Sequence, residues 1–212
     1  MSARGPQRDP ARRAPAIDTG RYQWAIGLLG LALLIAFSLY INLSGKARPG
    51  IAPGAPLRRF VAPLAGSGID RPANANPRCD PRRPNPRGLN VCGRSPLVLA
   101  FFIAQASGCV REVATLQRVA PRFPAVQFAA VAVRGSPGMI TALARSRRWR
   151  IPVAYDEDGR IAEIYGVETC PMIYLIRRGG IVAARLLGDR WLSSRALAAR
   201  VRGLLASPAA SG

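Results

Sequence analysis

Sulfur is the chemistry this sequence offers. The chain has four cysteines, Cys79, Cys92, Cys109 and Cys170, and no histidine. Cys109 is the best placed of them. It follows an apolar run, 97–104, and a break of small and polar residues, Gln105-Ala106-Ser107-Gly108, and it opens a helical pattern. A thiol at a strand-to-helix turn has unpaired N–H groups and the positive end of a helix dipole beside it, which lowers its pKa and favours the thiolate. Cys79 and Cys92, thirteen residues apart, bound a loop dense in Pro, Asn and Arg with no core of its own. A disulfide there would stabilise by about 3 kcal/mol through loop closure, so a structural staple is the expected role. Cys170 taken alone reads as a small buried residue. Four cysteines permit three pairings, and spacing selects none of them. No finger-like spacing is present, and neither a metal nor a cofactor is expected.

These sulfurs need elements to hold them. Residues 97–104 are rich in β-branched and aromatic side chains and short enough for a strand buried on both faces. After Cys109, Val110, Val113, Leu116, Gln117 and Val119-Ala120 keep one helical face mostly apolar until Pro121 stops it. Glu112 reads as a solvated first-turn acid complementing the dipole, Arg111 as a solvated neighbour, and Trp149 and Tyr155 as packing residues. Residues 126–133 form a continuous apolar strand, and Ser136-Pro137 caps and opens a helix to about Arg148. A short strand at 151–154, a turn at Asp156-Glu157-Asp158-Gly159 and a helical turn at 161–165 lead to Cys170-Pro171. Strands at 172–176 and 181–186 flank the hairpin signal Arg177-Arg178-Gly179-Gly180. Ser193 or Ser194 caps a last amphipathic helix with Leu197, Val201, Leu204 and Leu205 on one face. Strand–helix–strand–helix–strand, then a hairpin and a helix, is an α/β order.

The stretch 97–117 resembles the thioredoxin-like redoxins of the TlpA and AhpC/TSA type, which read as apolar strand, Trp-Cys-x-x-Cys, then a helix with Glu and Leu-Gln. Leu97-Val98-Leu99 and Phe101-Phe102 take the strand positions, Cys109 the second cysteine, and Glu112 and Leu116-Gln117 the helix positions. A second match is Tyr165-Gly166-Val167, followed by Cys170-Pro171 and the strand from Met172, where the family has a cis-proline before a strand. The resemblance runs from about Pro96 to Leu205. It implies a thioredoxin-like three-layer sandwich, a central mixed sheet flanked by helices. It also implies departures: Ala106 stands at the first, nucleophilic cysteine, Gln105 at its Trp neighbour, and Ala100 at the acid many thioredoxins bury. The usual Cys-x-x-Cys exchange is therefore closed to this chain. In that fold the proline loop packs against the start of the first helix, so the resemblance puts Cys109 and Cys170 within disulfide reach, with Pro171 cis.

The implied function is thiol–disulfide exchange through a non-adjacent pair, with catalytic positions Cys109, Cys170 and Pro171. Two alternatives stand beside it. One is a peroxiredoxin-like peroxidase using Cys109, since Ser107-Gly108-Cys109-Val110-Arg111-Glu112 is similar to that family's Pro-Gly-Cys-Thr-x-Glu; but Phe102 and Ala106 occupy the positions of its Pro and Thr/Ser. The other is an inactive redoxin fold serving as a binding or scaffold domain, with both cysteine pairs as staples.

Residues 24–43 are twenty residues without a charge, long enough at about 1.5 Å each to cross a hydrocarbon core. Trp24 and Tyr40 near the ends suit the interface. The run is longer than a signal-peptide core and continues to Leu43, with Ser44-Gly45-Lys46-Ala47 after it, so an uncleaved single-pass anchor is expected. Five arginines precede the span, favouring a cytoplasmic N-terminus and an extracytoplasmic domain at the plasma membrane. Expected boundaries are a disordered basic tail at 1–23, a transmembrane helix at 24–43, a semi-extended, poorly packed linker at 44–59, the α/β domain at 60–205 and a disordered tail at 206–212. Net charge is +20, nearly all from arginine spread along the chain, with Lys46 the single lysine. No nucleic-acid motif accompanies it, so the expected partners are the membrane and thiol- or disulfide-bearing proteins, not nucleic acid.

Overall fold

The computed structural model describes residues 20, 22–44, 50–65, 79–80, 82–156 and 158–206. The tails expected at 1–23 and 206–212, most of the Pro-rich loop and the start of the linker lie outside these residues, apart from their inner edges. The chain divides into two compact units, Met1–Lys46 and Ala47–Gly212.

In the first unit α1 (Gln23–Ser44) is apolar on all sides. Leu28, Leu29, Leu33, Leu34 and Phe37 are all exposed, so no stripe is reserved for a core. The window Gln23–Tyr40 is long and apolar enough to cross a membrane.

The second unit is built on β3 (Leu97–Phe102), whose six residues are all buried, as an apolar run without alternation requires. It follows β1 (Phe60–Pro63) and β2 (Gly88–Val91), which pair antiparallel with Phe60 opposite Val91. After it come α2 (Ser107–Val119), β4 (Gln127–Val133), α3 (Pro137–Ser146), β5 (Val153–Asp156), α4 (Arg160–Tyr165), β6 (Met172–Ile176), β7 (Val182–Leu187) and α5 (Ser194–Ala206). The five-stranded sheet has the order β5-β4-β3-β6-β7. β3, β4 and β5 are parallel, while β6 and β7 are antiparallel to their neighbours.

Strand alternation divides the core in two. Val98, Ala100, Phe102, Phe128, Ala130 and Ile173 face Cys109, Val113 and Leu116 of α2, Ile140 of α3 and Leu197 and Val201 of α5. Leu99, Phe101, Val131, Met172 and Tyr174 face the opposite way, toward Ile161 and Tyr165 of α4, the β1–β2 pair and Leu57. The result is a three-layer α/β sandwich with the thioredoxin-like order.

Several local expectations shift. The β1–β2 pair adds a small sheet to a face expected to be covered by helices. Residues 50–57, within the stretch expected as a loose linker, lie along β7. Pro56 bridges Ile181, the Leu57 amide donates to the Gly180 carbonyl at 2.7 Å, and the Val182 amide donates to Ala55 at 3.0 Å. An edge strand with free backbone groups draws them in. β5 starts and ends two residues later than expected, which carries Asp156 out of the turn and into the core. Leu205 is 44 % exposed, while Leu197, Val201 and Leu204 are buried as expected. Ser136 caps α3 by accepting from the Met139 amide, with Pro137 at the first position.

Candidate functional site

Two element ends meet at the C-terminal edge of β3. The first is the start of α2. The chain leaves β3 at Phe102, turns where the Ala106 amide donates to the Ile103 carbonyl at 3.1 Å, and enters the helix at Ser107, two residues before the expected start. Ala106 is the N-cap and has no side-chain oxygen to offer, so the amides of Ser107, Gly108 and Cys109 receive no side-chain cap. Cys109 is the third residue of this uncapped turn, with 4 % of its surface exposed.

The second is the loop before β6. α4 closes on Gly166, whose left-handed backbone (φ 58°, ψ 49°) suits glycine, and the Val167 amide folds back to the Ala162 carbonyl at 2.8 Å. Three residues later the Cys170–Pro171 peptide is cis. Met172 then pairs with Phe101 and Leu187, which fixes the loop beside the exit of β3. Cys170, half-buried, is bonded to Cys109 across 61 residues of sequence, with Cα atoms 5.4 Å apart.

A third group belongs to this junction. Glu112, expected to be solvated, is fully buried. It lies one turn after Cys109, on the same helical face. Its Oε1 accepts the Met172 amide at 3.0 Å, and its Oε2 is buried without a partner among the described residues. Burial pushes its pKa well above the ordinary carboxylate range, against the opposing pull of the Met172 amide. A buried carboxyl with a raised pKa, one helical turn from Cys109, is of the type that can supply a proton to a sulfur leaving as thiolate and take one back. The position was visible in the pattern: 112 sits between 109 and 113 and four residues before 116, inside the apolar stripe.

Beside the disulfide opens a cleft of about 560 Å³ whose wall includes Cys170 but not Cys109. It runs past the end of β3, where Ile103 and Val167 are its accessible apolar residues, and Arg134, Glu163, Glu168 and Thr169 also line it.

The remaining candidates lie elsewhere. Cys79 and Cys92 are bonded to each other, with Cα atoms 5.7 Å apart. Cys92 precedes β3 and Cys109 follows it, so the two disulfides sit at opposite ends of the central strand. Arg111 is exposed. Trp149 packs edge-on against Phe102 at 5.6 Å between ring centroids, and Tyr155 is buried. Among the described residues no cluster of His, Cys, Asp and Glu suits a metal ion.

Sequence reasoning also passed over Asp156. It is buried, and its Oδ2 accepts the Ala162 amide at 2.7 Å at the start of α4. Burial, and Asp158 beside it, raise its pKa to about 6.

The sequence profile of the AhpC/TSA family matches residues 87–185, nearly half the chain. No functionally curated protein matches it by sequence. Among solved structures it is similar to a secreted disulfide oxidoreductase of Mycobacterium tuberculosis homologous to Escherichia coli DsbE. The TM-score is 0.54 and the identity 23 %, over 68 % of this chain and 96 % of that one. A candidate thiol:disulfide interchange protein DsbE from Chlorobium tepidum gives a TM-score of 0.59 at 18 % identity, over 73 % and 99 %. A thioredoxin-family thiol:disulfide interchange protein from Chlorobium tepidum TLS gives 0.56 at 14 %, over 74 % and 99 %. At these identities the likeness is one of fold.

Proposed function

We propose that this chain, a thioredoxin-like redoxin, is a membrane-anchored, extracytoplasmic thiol–disulfide oxidoreductase whose redox couple is Cys109 and Cys170. The observation that carries the reading is the bond between an uncapped helix start and the proline loop, with a buried acid one helical turn on and a cleft open on one side. In exchange, a partner thiolate attacks one sulfur of the bond, the S–S bond breaks, and the other sulfur leaves with the electron pair. A second partner thiol, losing its proton, then attacks the mixed disulfide. The partner ends as a disulfide and the protein as a dithiol, with two electrons and two protons moved; the reverse sequence reduces a partner.

The helix start supports the leaving thiolate, and Glu112 supplies its proton. A peroxidase reading fits less well, because Cys109 is 4 % exposed and already bonded. The anchor rests on α1 and the outward orientation on the five arginines before it, and two disulfides suit an oxidising compartment. Cys79–Cys92 is proposed as a staple, and the α/β domain as the exchange module.

The test is a redox titration of the full-length protein in detergent against glutathione buffers, with free thiols blocked and mapped by mass spectrometry. Reversible opening of Cys109–Cys170 in folded protein, with Cys79–Cys92 intact, is expected. A Cys109–Cys170 bond that resists millimolar thiols until the fold is lost would refute exchange and leave a staple.

A further inference from the structure

We infer that Cys170, the sulfur on the proline loop, is the one that joins the partner, and that the adjacent cleft receives a cysteine carried in an apolar peptide segment. The inference rests on the exchange reading above and adds its direction.

Two independent considerations agree. The first is access. Thiol–disulfide exchange depends on which sulfur an incoming thiolate can reach. Cys109, in the first turn of α2, is 4 % exposed, whereas Cys170 is half-buried and forms part of the cleft wall. The second is the leaving group. The sulfur expelled should be the better thiolate. Cys109 lies in the first turn of a thirteen-residue helix whose leading amides receive no side-chain cap, which lowers a thiol's pKa. Cys170, on a loop, has no helix start of its own. Attack at Cys170 is therefore favoured at both ends of the breaking bond, and attack at Cys109 at neither.

The electron accounting is complete without another reactant. The partner thiolate donates its pair to form the partner–Cys170 bond, and the Cys109–Cys170 pair departs on Cys109, which takes a proton. The second partner thiolate then displaces Cys170 from the mixed disulfide. Running backwards, the Cys170 thiolate opens a partner disulfide and Cys109 displaces the partner.

The cleft indicates what carries the partner sulfur. At about 560 Å³ it is far larger than a small thiol needs, and Ile103 and Val167 offer accessible apolar contact along it. A peptide cysteine with apolar neighbours gains by burying them there, and a bare small thiol gains nothing.

The assay uses full-length protein in detergent as Cys109→Ser and Cys170→Ser, reduced under conditions that leave Cys79–Cys92 closed. Each is mixed with a cysteine peptide flanked by Leu and Phe, activated as a thionitrobenzoate mixed disulfide, and with activated mercaptoethanol. At alkaline pH, where both thiols are ionised and access decides, Cys109→Ser should couple at Cys170, confirmed by mass mapping, about 10-fold or more faster than Cys170→Ser couples at Cys109, and should prefer the peptide several-fold. Equal coupling, or faster coupling at Cys109, overturns the assignment and leaves the exchange reading standing. Loss of the peptide preference overturns the role of the cleft. A wild-type bond that neither thiol opens in folded protein overturns exchange itself. Should either variant fold poorly, the oxidised wild type decides: it is treated with limiting peptide thiol and quenched with acid, the trapped mixed disulfide must map to Cys170, and one on Cys109 refutes the inference.

Discussion

Replacing Glu112 by Gln isolates the proton chemistry from the packing. The wild-type carboxyl is fully buried, its Oε1 holds the Met172 amide, and its Oε2 has no partner among the described residues. Its folded pKa is raised, so the fold favours the neutral form. The sign follows. The contribution of this group to stability is complete below the unfolded pKa of about 4.3, and it is lost as pH rises through the folded value. Each unit of displacement is worth about 1.4 kcal/mol. Gln is neutral at every pH and keeps an oxygen for the Met172 amide, but it buries an extra N–H₂, which costs about 1–3 kcal/mol if unpaired. Near pH 4 the variant should therefore equal the wild type or fall slightly below it. By pH 8 it should have gained on the wild type relative to that starting point, because only the wild type carries a group whose raised pKa is crossed on the way. Urea unfolding of the oxidised protein, followed by Trp149 and Trp191 fluorescence, measures both values. Exchange should move the other way. Without an acid to hand a proton to Cys109, reduction at neutral pH should slow about 100-fold, the low end of general acid–base catalysis. Parallel stability curves for the two proteins from pH 4 to 8, together with unchanged exchange, would show that Glu112 is only a hydrogen-bonding prop and that no proton passes through it.

Asp156→Asn should stabilise the domain by roughly 1–2 kcal/mol at pH 7.5 and by nothing at pH 4, because a pKa raised to about 6 loses its stabilising share as pH climbs through that value; thermal melts across the range check it, and a uniform loss would reverse the argument. Removing the staple as Cys79→Ala with Cys92→Ala should cost about 3 kcal/mol in denaturant unfolding, from a thirteen-residue separation, while the exchange rate at Cys109–Cys170 stays within twofold of wild type. A loss of exchange in that double variant would link the two disulfides across the length of β3.

What could be read from the sequence followed from how many residues carried each signal. β3 is six apolar residues in a row, and a strand of that kind has no alternative but the middle of a sheet. α3 announced itself through Ser136 and Pro137, two residues whose capping roles depend on local geometry alone. β2 was missed because Gly88–Val91 is four residues with a polar Asn90 in the third place, and its strand character comes from pairing with β1. Leu205 lies in the last turn of α5, where it is 44 % exposed while Leu204 beside it is buried. Glu112 and Asp156 were misread for one reason: both carry charge in the isolated chain, and only the assembled core shows that desolvation outweighs it. The pairing of Cys109 with Cys170 came from the resemblance to a fold and not from spacing, since 61 residues of separation carry no local signal.

That separation has a consequence of its own. In a Cys-x-x-Cys site both sulfurs ride on one helix, and opening the bond frees only a single turn. Here the bond joins two elements that the chain visits 61 residues apart, and loop closure of that length removes entropy from the unfolded state worth about 4 kcal/mol. Reduction therefore withdraws a large part of a small domain's margin, which is only 5–15 kcal/mol in total. Among the described residues a hydrogen bond that does not depend on the disulfide also crosses this junction, from the Met172 amide to Glu112 Oε1. Proton release from Glu112 would quench the Cys109 thiolate but leave a charge that burial disfavours. The carboxyl is therefore driven to take a proton back, and the Met172 bond holds α2 to the proline loop while the covalent link is gone. On this argument the acid sits where it does because a redox pair assembled from distant parts of the chain needs something to keep its two halves in register while it is open.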